Sequence, residues 1–202
     1  MLKPVSYSDT LVVSLEEATL HLRRVDRDDD TLVKTYIKAA TLWAENFAGI
    51  ALVDQTWDYF FDAYPDGVEP YGRYIKIPRP PLLEIEGAFY RYGSEGEFAD
   101  YLVDYAMPPS MARLHLGQNG SWPTTDGAAN AGRIRFRAGY LDESSPGDGP
   151  NVIPDDIKAA ILLYMANLYE VREFDEPAAI SSRPPWGAEQ LLRNYRVETS
   201  LA

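Results

Sequence analysis

The sequence predicts an α+β fold: helices from both chain ends build one core around a central antiparallel β insertion. Two observations carry this. Apolar residues recur at helical spacing near both ends of the chain, over residues 15–48 and 154–173. Between residues 51 and 149 the pattern changes to short alternating stretches broken by proline and glycine, as strands and turns require. Helices, then strands, then helices place the helical layer on both sides of the insertion.

The elements follow in order. Ser14 and Glu17 form a capping box, with the serine hydroxyl and the glutamate carboxylate each satisfying the other's free amide. A short helix from Leu15 to about Arg24 is expected after it. The acidic link D-R-D-D-D, residues 26–30, opens a second helix whose buried face is read as Leu32, Tyr36, Ala39, Ala40, Trp43 and Phe47. Gly49 stands where a left-handed residue would end it. T-W-D-Y-F-F-D-A-Y, residues 56–64, alternates as a strand does. Y-I-K-I-P, I-E-G-A-F-Y-R-Y, F-A-D-Y-L-V-D-Y, M-A-R-L-H-L and R-I-R-F-R-A-G-Y continue the series, with S-E-G as a hairpin turn.

A loop rich in Gly, Ser and Pro runs to Asn151, and Pro154 then suits the first turn of a long helix. Asp155 and Asp156 lie where its dipole favours negative charge. Ile157, Ile161, Tyr164, Leu168 and Val171 share one face. Leu162, Leu163, Ala166 and Tyr169 are apolar on the others, so this helix is expected to be buried on more than one side. Past Phe174 a linker leads to a short helix over residues 188–196 and a tail. The expected organisation is a helical core from 1–50 and 150–173, a β-rich insertion over 51–149, and a linker, docking helix and tail over 174–202.

Composition narrows the function. A chain of 202 residues suits one domain with an insertion. The net charge of -12 argues against general affinity for nucleic acid, whose binders carry a basic surplus. No cysteine is present, which excludes disulfides and thiol chemistry and fits a cytoplasmic protein. The N-terminal residues lack the apolar core of a signal sequence, and no apolar run reaches the roughly 20 residues a membrane span needs. A soluble protein is expected.

Chemistry-bearing motifs are missing. His21 and His115 stand far apart, and zinc spacings, a phosphate loop and a nucleophile elbow are absent. Asp26, Asp28 and Asp30 alternate as in a calcium loop, but the required glycine and distal glutamate do not follow. Helix capping and solvated charge explain them better. No enzyme activity, cofactor or metal is expected.

Two features speak of partners instead. On the strand R-I-R-F-R-A, Arg133, Arg135 and Arg137 share one face and Ile134, Phe136 and Ala138 the other. In so acidic a chain, pairing with carboxylates, within the subunit or across a subunit contact, is preferred to a stripe facing DNA. Near the C-terminus, Trp186, Leu191, Leu192 and Tyr195, with Arg193 and Arg196, form an apolar, basic-edged helix too short to stand alone. It docks on its own domain or on another protein. The second reading expects that deleting residues 186–202 leaves the fold intact and abolishes partner binding.

The segments S-L-E-E-A-T-L-H-L-R-R-V-D-R-D-D-D-T-L-V-K-T-Y-I-K-A-A-T-L-W-A-E-N-F-A-G, I-P-R-P-P-L, F-R-A-G-Y, V-I-P-D-D-I-K-A-A-I-L-L-Y-M-A-N-L-Y-E-V-R-E and L-L-R-N-Y-R resemble, in that order, head–tail connector (adaptor) proteins of long-tailed bacteriophages, prophages and gene transfer agents. The resemblance spans Ser14 to Arg196 and is loosest between Tyr64 and Arg133. It implies a non-enzymatic virion part, made in the bacterial cytoplasm and placed in the particle neck. Family members form a ring, twelvefold as a rule, beneath the portal. The ring extends the DNA channel and carries the stopper or tail-completion protein, with double-stranded DNA only as passing cargo. The resemblance makes Trp186, Leu191, Leu192, Arg193, Tyr195 and Arg196 the portal-docking element. Arg133, Arg135, Arg137, Leu162, Leu163 and Tyr169 are the expected subunit contacts. The rivals are another neck part, such as a stopper or tail-completion protein, and a sugar- or peptide-binding module using Tyr90, Tyr92, Tyr101 and Tyr105.

Overall fold

A computed structural model describes residues 1–24, 28–64, 74–91, 99–101, 105–106, 113–116, 122–123, 125, 128–140, 152–171 and 184–197. The fold is α+β. Its strands are β1 (Leu2–Tyr7), β2 (Gln55–Phe61), β3 (Tyr74–Lys76), β4 (Leu82–Tyr90), β5 (Ala99–Tyr101), β6 (Tyr105–Ala106), β7 (Arg113–Leu116) and β8 (Gly132–Ala138). Its helices are α1 (Leu15–His21), α2 (Asp30–Ala48), α3 (Asp155–Glu170) and α4 (Trp186–Leu192), the last continuing as a 3-10 turn over Arg193–Tyr195. The chain divides into a sheet unit, Met1–Ser8 with Val53–Asn151, and a helical unit, Asp9–Leu52 with Val152–Ala202.

The sheet unit holds two antiparallel sheets where one strand series was expected. Five strands run in the order β1-β2-β8-β4-β5 and three in the order β3-β7-β6. F-A-D-Y-L-V-D-Y, read as one strand, supplies β5 to the first and β6 to the second. Central β8 alternates strictly, with Ile134, Phe136 and Ala138 buried and the arginines half-buried. A strand between two neighbours with one face covered must read this way.

Residues 1–8 correct the expected boundaries. Rather than joining the helical core, Leu2–Tyr7 pairs with β2 at the edge of the five-stranded sheet. Its proline hid it, yet an edge is where a strand tolerates proline.

Gly139 closes the sheet behind β8. Its φ is +134°, and a Cβ there would lie 2.2 Å from the Val53 carbonyl oxygen. Its N–H donates to the Pro81 oxygen at 2.9 Å, joining the end of β8 to the segment that enters β4.

In the helical unit the capping box at Ser14 and Glu17 forms as expected, and Gly49 ends α2 at φ +71°. Helix α1 stops at His21, three residues short of the expected end. The buried face of α2 is rotated from the expected one: Val33, Ile37, Ala40, Thr41, Ala44, Glu45 and Ala48 are buried, whereas Ala39 is exposed. Helix α2 carries two apolar stripes. The stripe that joins Val33 and Ile37 to three alanines goes inside because it has no aromatic ring and admits close packing, and the bulky Tyr36, Trp43 and Phe47 remain half-buried. Trp43 meets Tyr164 of α3 at 4.6 Å between ring centroids. On α3 the buried set is Ile157, Ala160, Ile161 and Met165, so Tyr164, Leu168 and Val171 of the expected face are only half-buried.

Glu45 is fully buried. Its carboxylate accepts the Leu52 N–H at 2.7 Å, and its backbone oxygen accepts from Gly49 and Ile50. One residue thus turns the chain out of α2 into the buried segment Ile50–Val53. The S-E-G turn, the loop over 141–150, the linker over 174–183 and the tail after 197 lie outside the described residues.

Replacing Gly139 with alanine forces a side chain into a left-handed backbone and onto a carbonyl oxygen. Gly139→Ala is expected to cost about 2 kcal/mol or more, read by chemical denaturation.

Candidate functional site: partner-facing surfaces

The arginine face of β8 is a paired ladder. Arg135 lies directly across from Asp58 in the β2–β8 register. Its Nε and Nη2 donate to the two Asp58 oxygens at 2.8 Å each, a bidentate fork. Arg137 grips Asp54 through Nε at 3.2 Å and Nη2 at 2.9 Å, and Nη1 reaches Glu84 of β4 at 3.4 Å. Arg133 lies over its cross-strand neighbour Phe89, with the guanidinium carbon 4.1 Å from the ring centroid. The hydrogen bond from Arg135 holds the Asp58 carboxyl below its ordinary 3.8, against the opposing effect of burial. Arg135 and Arg137 are raised by the same contacts.

The pairing with carboxylates therefore forms inside one subunit for Arg135 and Arg137. Neither presents a bare guanidinium to a phosphate backbone. The sequence did not single out the partners Asp54, Asp58 and Glu84. Asp58 was readable in outline, since it alternates with Trp57 and Tyr59, but the pairing needed the register of β2 on β8.

The C-terminal helix docks on its own unit. Leu192 and Ala188 are fully buried, and α4 packs on α3 and α2. Tyr195 donates its hydroxyl proton to the Asp156 carboxylate, at 2.8 and 2.9 Å from its two oxygens. Arg196 lies over the Phe47 ring at 5.7 Å, and the Val197 N–H donates to the Ala48 oxygen at 2.8 Å. Of the two dockings that the sequence left open, the one on its own domain is seen, and the helix helps complete the core of the helical unit. Its apolar stripe is divided: Leu192 faces inward, Leu191 is half-buried, and Trp186, Arg193 and Arg196 are exposed. The expectation that residues 186–202 can be removed without harm to the fold is corrected, because removal uncovers the surface that Leu192 and Ala188 bury.

Tyr169, expected at a subunit contact, is occupied within its own unit. Its hydroxyl donates to Asp29 at 2.9 Å, the Tyr36 ring meets it edge-on at 6.4 Å, and the Arg24 guanidinium lies 5.5 Å from its centroid. Asp29 stands at the N-cap of α2 but makes no side-chain cap bond, and its carboxylate accepts from Tyr169 where capping was expected. Leu162 is half-buried and Leu163 exposed. His21 is exposed, and Tyr90 is half-buried. Tyr92 lies outside the described residues.

Among the described residues no three His, Cys, Asp or Glu side chains gather as metal ligands. No described helix is long and apolar enough to cross a membrane.

Across 98% of its length the chain superimposes on a chain of the neck of an empty gene transfer agent (GTA) particle computed with C6 symmetry. The TM-score is 0.71, the identity 19%, and 95% of that chain is covered. A chain of the neck of the native GTA particle computed with C12 symmetry matches with a TM-score of 0.70 and 18% identity, over 98% and 95% of the two chains. A chain of the virion of a native GTA particle matches with a TM-score of 0.67 and 22% identity over the same shares. This chain has their fold. No family model matches the sequence, and no curated protein matches it.

Sequence reasoning missed Val5 and Tyr7, which β1 leaves exposed. A lone valine and tyrosine beside a proline carry no periodic signal.

Two outcomes are expected. Asp58→Asn should cost about 1–2 kcal/mol, a charged hydrogen bond discounted because Arg135 is a third exposed. Because the folded-state value lies below 3.8, the wild-type advantage over Asp58→Asn is full above pH 3.8 and fades as pH falls through the lowered value. Denaturation at several pH values checks both. Leu192→Ala should lower stability by about 2–4 kcal/mol, read by thermal or urea unfolding.

Proposed function

We propose that this protein is a structural head–tail adaptor of a phage or phage-like particle. It forms a ring below the portal that extends the DNA channel and carries the stopper or tail-completion protein. The observation that carries the reading is the whole-chain fold match to chains of GTA necks, over 98% of this chain. The ordered resemblance of five sequence segments to connector proteins points the same way. The C6 and C12 symmetries of those necks support a ring of copies.

The structure suits such a part. Arg135 and Arg137 of β8 are spent on internal carboxylates, so this strand of a chain with net charge -12 does not offer them to DNA in passage. In this reading the portal meets α4 and the turn after it. Leu192 and Tyr195 act as internal anchors, and the exposed Arg193 and Arg196 with half-buried Leu191 make the contact. The reading asks no catalysis, metal or cofactor of the chain.

Co-sedimentation with purified portal rings from the same particle tests it. Wild-type protein should travel with the portal, and Arg193→Glu, at an exposed position, should weaken binding at least tenfold without altering thermal stability. Failure of the wild type to bind, together with no density for it at the neck in micrographs of particles, overturns the reading.

A further inference from the structure

The large apolar side chains left exposed among the described residues are unevenly placed. In the sheet unit they are Met1 at 67%, Val5 at 46% and Tyr7 at 47%, all on or beside the edge strand β1. In the helical unit Val152, at 59%, lies just before α3, and Leu20 and Leu42 stand singly, among exposed Glu16, Glu17 and His21 and among Lys38 and Asn46 at helical spacing. Trp186, 74% exposed, and Leu163, 37% exposed, are different. A Cβ at Gly187 would lie 3.8 Å from the Leu163 Cδ1, so the start of α4 rests beside Leu163, and Trp186 is the residue just before Gly187. Half-buried Leu162 adjoins them in sequence. This is one patch assembled from two helices.

An open strand edge invites another strand, but β1 is built against that. Phe60 donates its N–H to the Met1 oxygen, so the alternate residues Leu2 and Pro4 turn their backbone groups to the open side. Pro4 has no N–H to offer there. The register then slips between Pro4 and Ser6, with Val5 as the extra residue. A proline and a bulge at the middle of an edge block growth of the ladder. Val5 and Tyr7 nonetheless stay uncovered, so what covers them must pack on side chains and not add a strand.

A ring of identical copies needs two different, complementary patches on each copy. Resting on the ring proposed above, we infer that the β1 edge of one copy, through Val5 and Tyr7, packs on the Trp186–Leu163 patch of the next. Tyrosine and tryptophan are the side chains that anchor protein contacts, and both patches have a large aromatic beside an aliphatic. The contact is head-to-tail, because an edge strand meets a helix pair. It takes Trp186 away from the portal and leaves Arg193, Arg196 and Leu191 to that partner.

The chain has no cysteine, so introduced ones report without background. Val5→Cys with Leu163→Cys in one chain, treated with a short bismaleimide at up to millimolar concentration, should give a ladder of dimers, trimers and higher species. Tyr7→Cys with Trp186→Cys should do the same, since all four positions are exposed and tolerate replacement. Each single variant alone should stay monomeric on denaturing gels. In the cysteine-free chain, Tyr7→Lys should cut self-association at least tenfold by sedimentation and leave portal binding intact. Dimers from a single variant would mean like patches meet, and overturn the inference. So would full-length double variants that give no ladder. In either case portal co-sedimentation still decides the adaptor reading separately, since it depends on α4 and not on β1.

Discussion

Strand β8 is the constraint on which the sheet unit depends. Its apolar residues, Ile134, Phe136 and Ala138, are buried, while Arg135 and Arg137 tie it to both neighbours on the other face. Asp58 comes from β2, Asp54 from the residue before it, and Glu84 from β4. A slip of one residue would put guanidinium groups in the apolar layer and strand those carboxylates without partners. Burial sets which face goes inward, and charge pairing chooses the register. Gly139 then lets the chain leave β8 against the Val53 carbonyl, where any side chain would collide.

The helical unit rests on a different device. Its centre is a stripe without aromatic rings on α2, with Glu45 buried in it and bonded to the Leu52 amide. Bulk is placed at the margin, where Tyr164 meets Trp43, Trp43 stacks on Phe47, and Arg196 lies over Phe47. This arrangement needs α4 as a lid. Leu192 and the Tyr195–Asp156 bond close the helical unit with a segment distant in sequence from α2. The surface proposed to meet the portal therefore stands on a C-terminal segment that is itself part of the core.

The adaptor role proposed above would ask for lateral contacts, two different neighbours along the axis and a passage for DNA. Division into a sheet unit and a helical unit would provide surfaces of different character for those tasks. Neutralised arginines fit passage of a polyanion, since each guanidinium held by a carboxylate releases no counterion from a passing phosphate. The blunted edge of β1 fits closure as well, because an edge that accepts strands builds open aggregates as readily as rings.

The α+β class, the capping box at Ser14, the stop at Gly49 and the alternation of β8 were legible in the sequence, because each is a local pattern. So was the preference of the arginines for carboxylates, which follows from a net charge of -12. The residues that receive them were not legible, since Asp58 and Glu84 are brought to Arg135 and Arg137 only by strand register. Nor was the buried side of α2: with two apolar stripes on one helix, periodicity offers both, and packing density selects the one without aromatic rings. The same holds for α4, whose amphipathic pattern reads alike for a ligand of another protein and for a lid on its own. Local periodicity by itself determined the elements and their faces. Only the tertiary structure decided which apolar face meets which, because that choice depends on shape and on contacts between residues far apart in the chain.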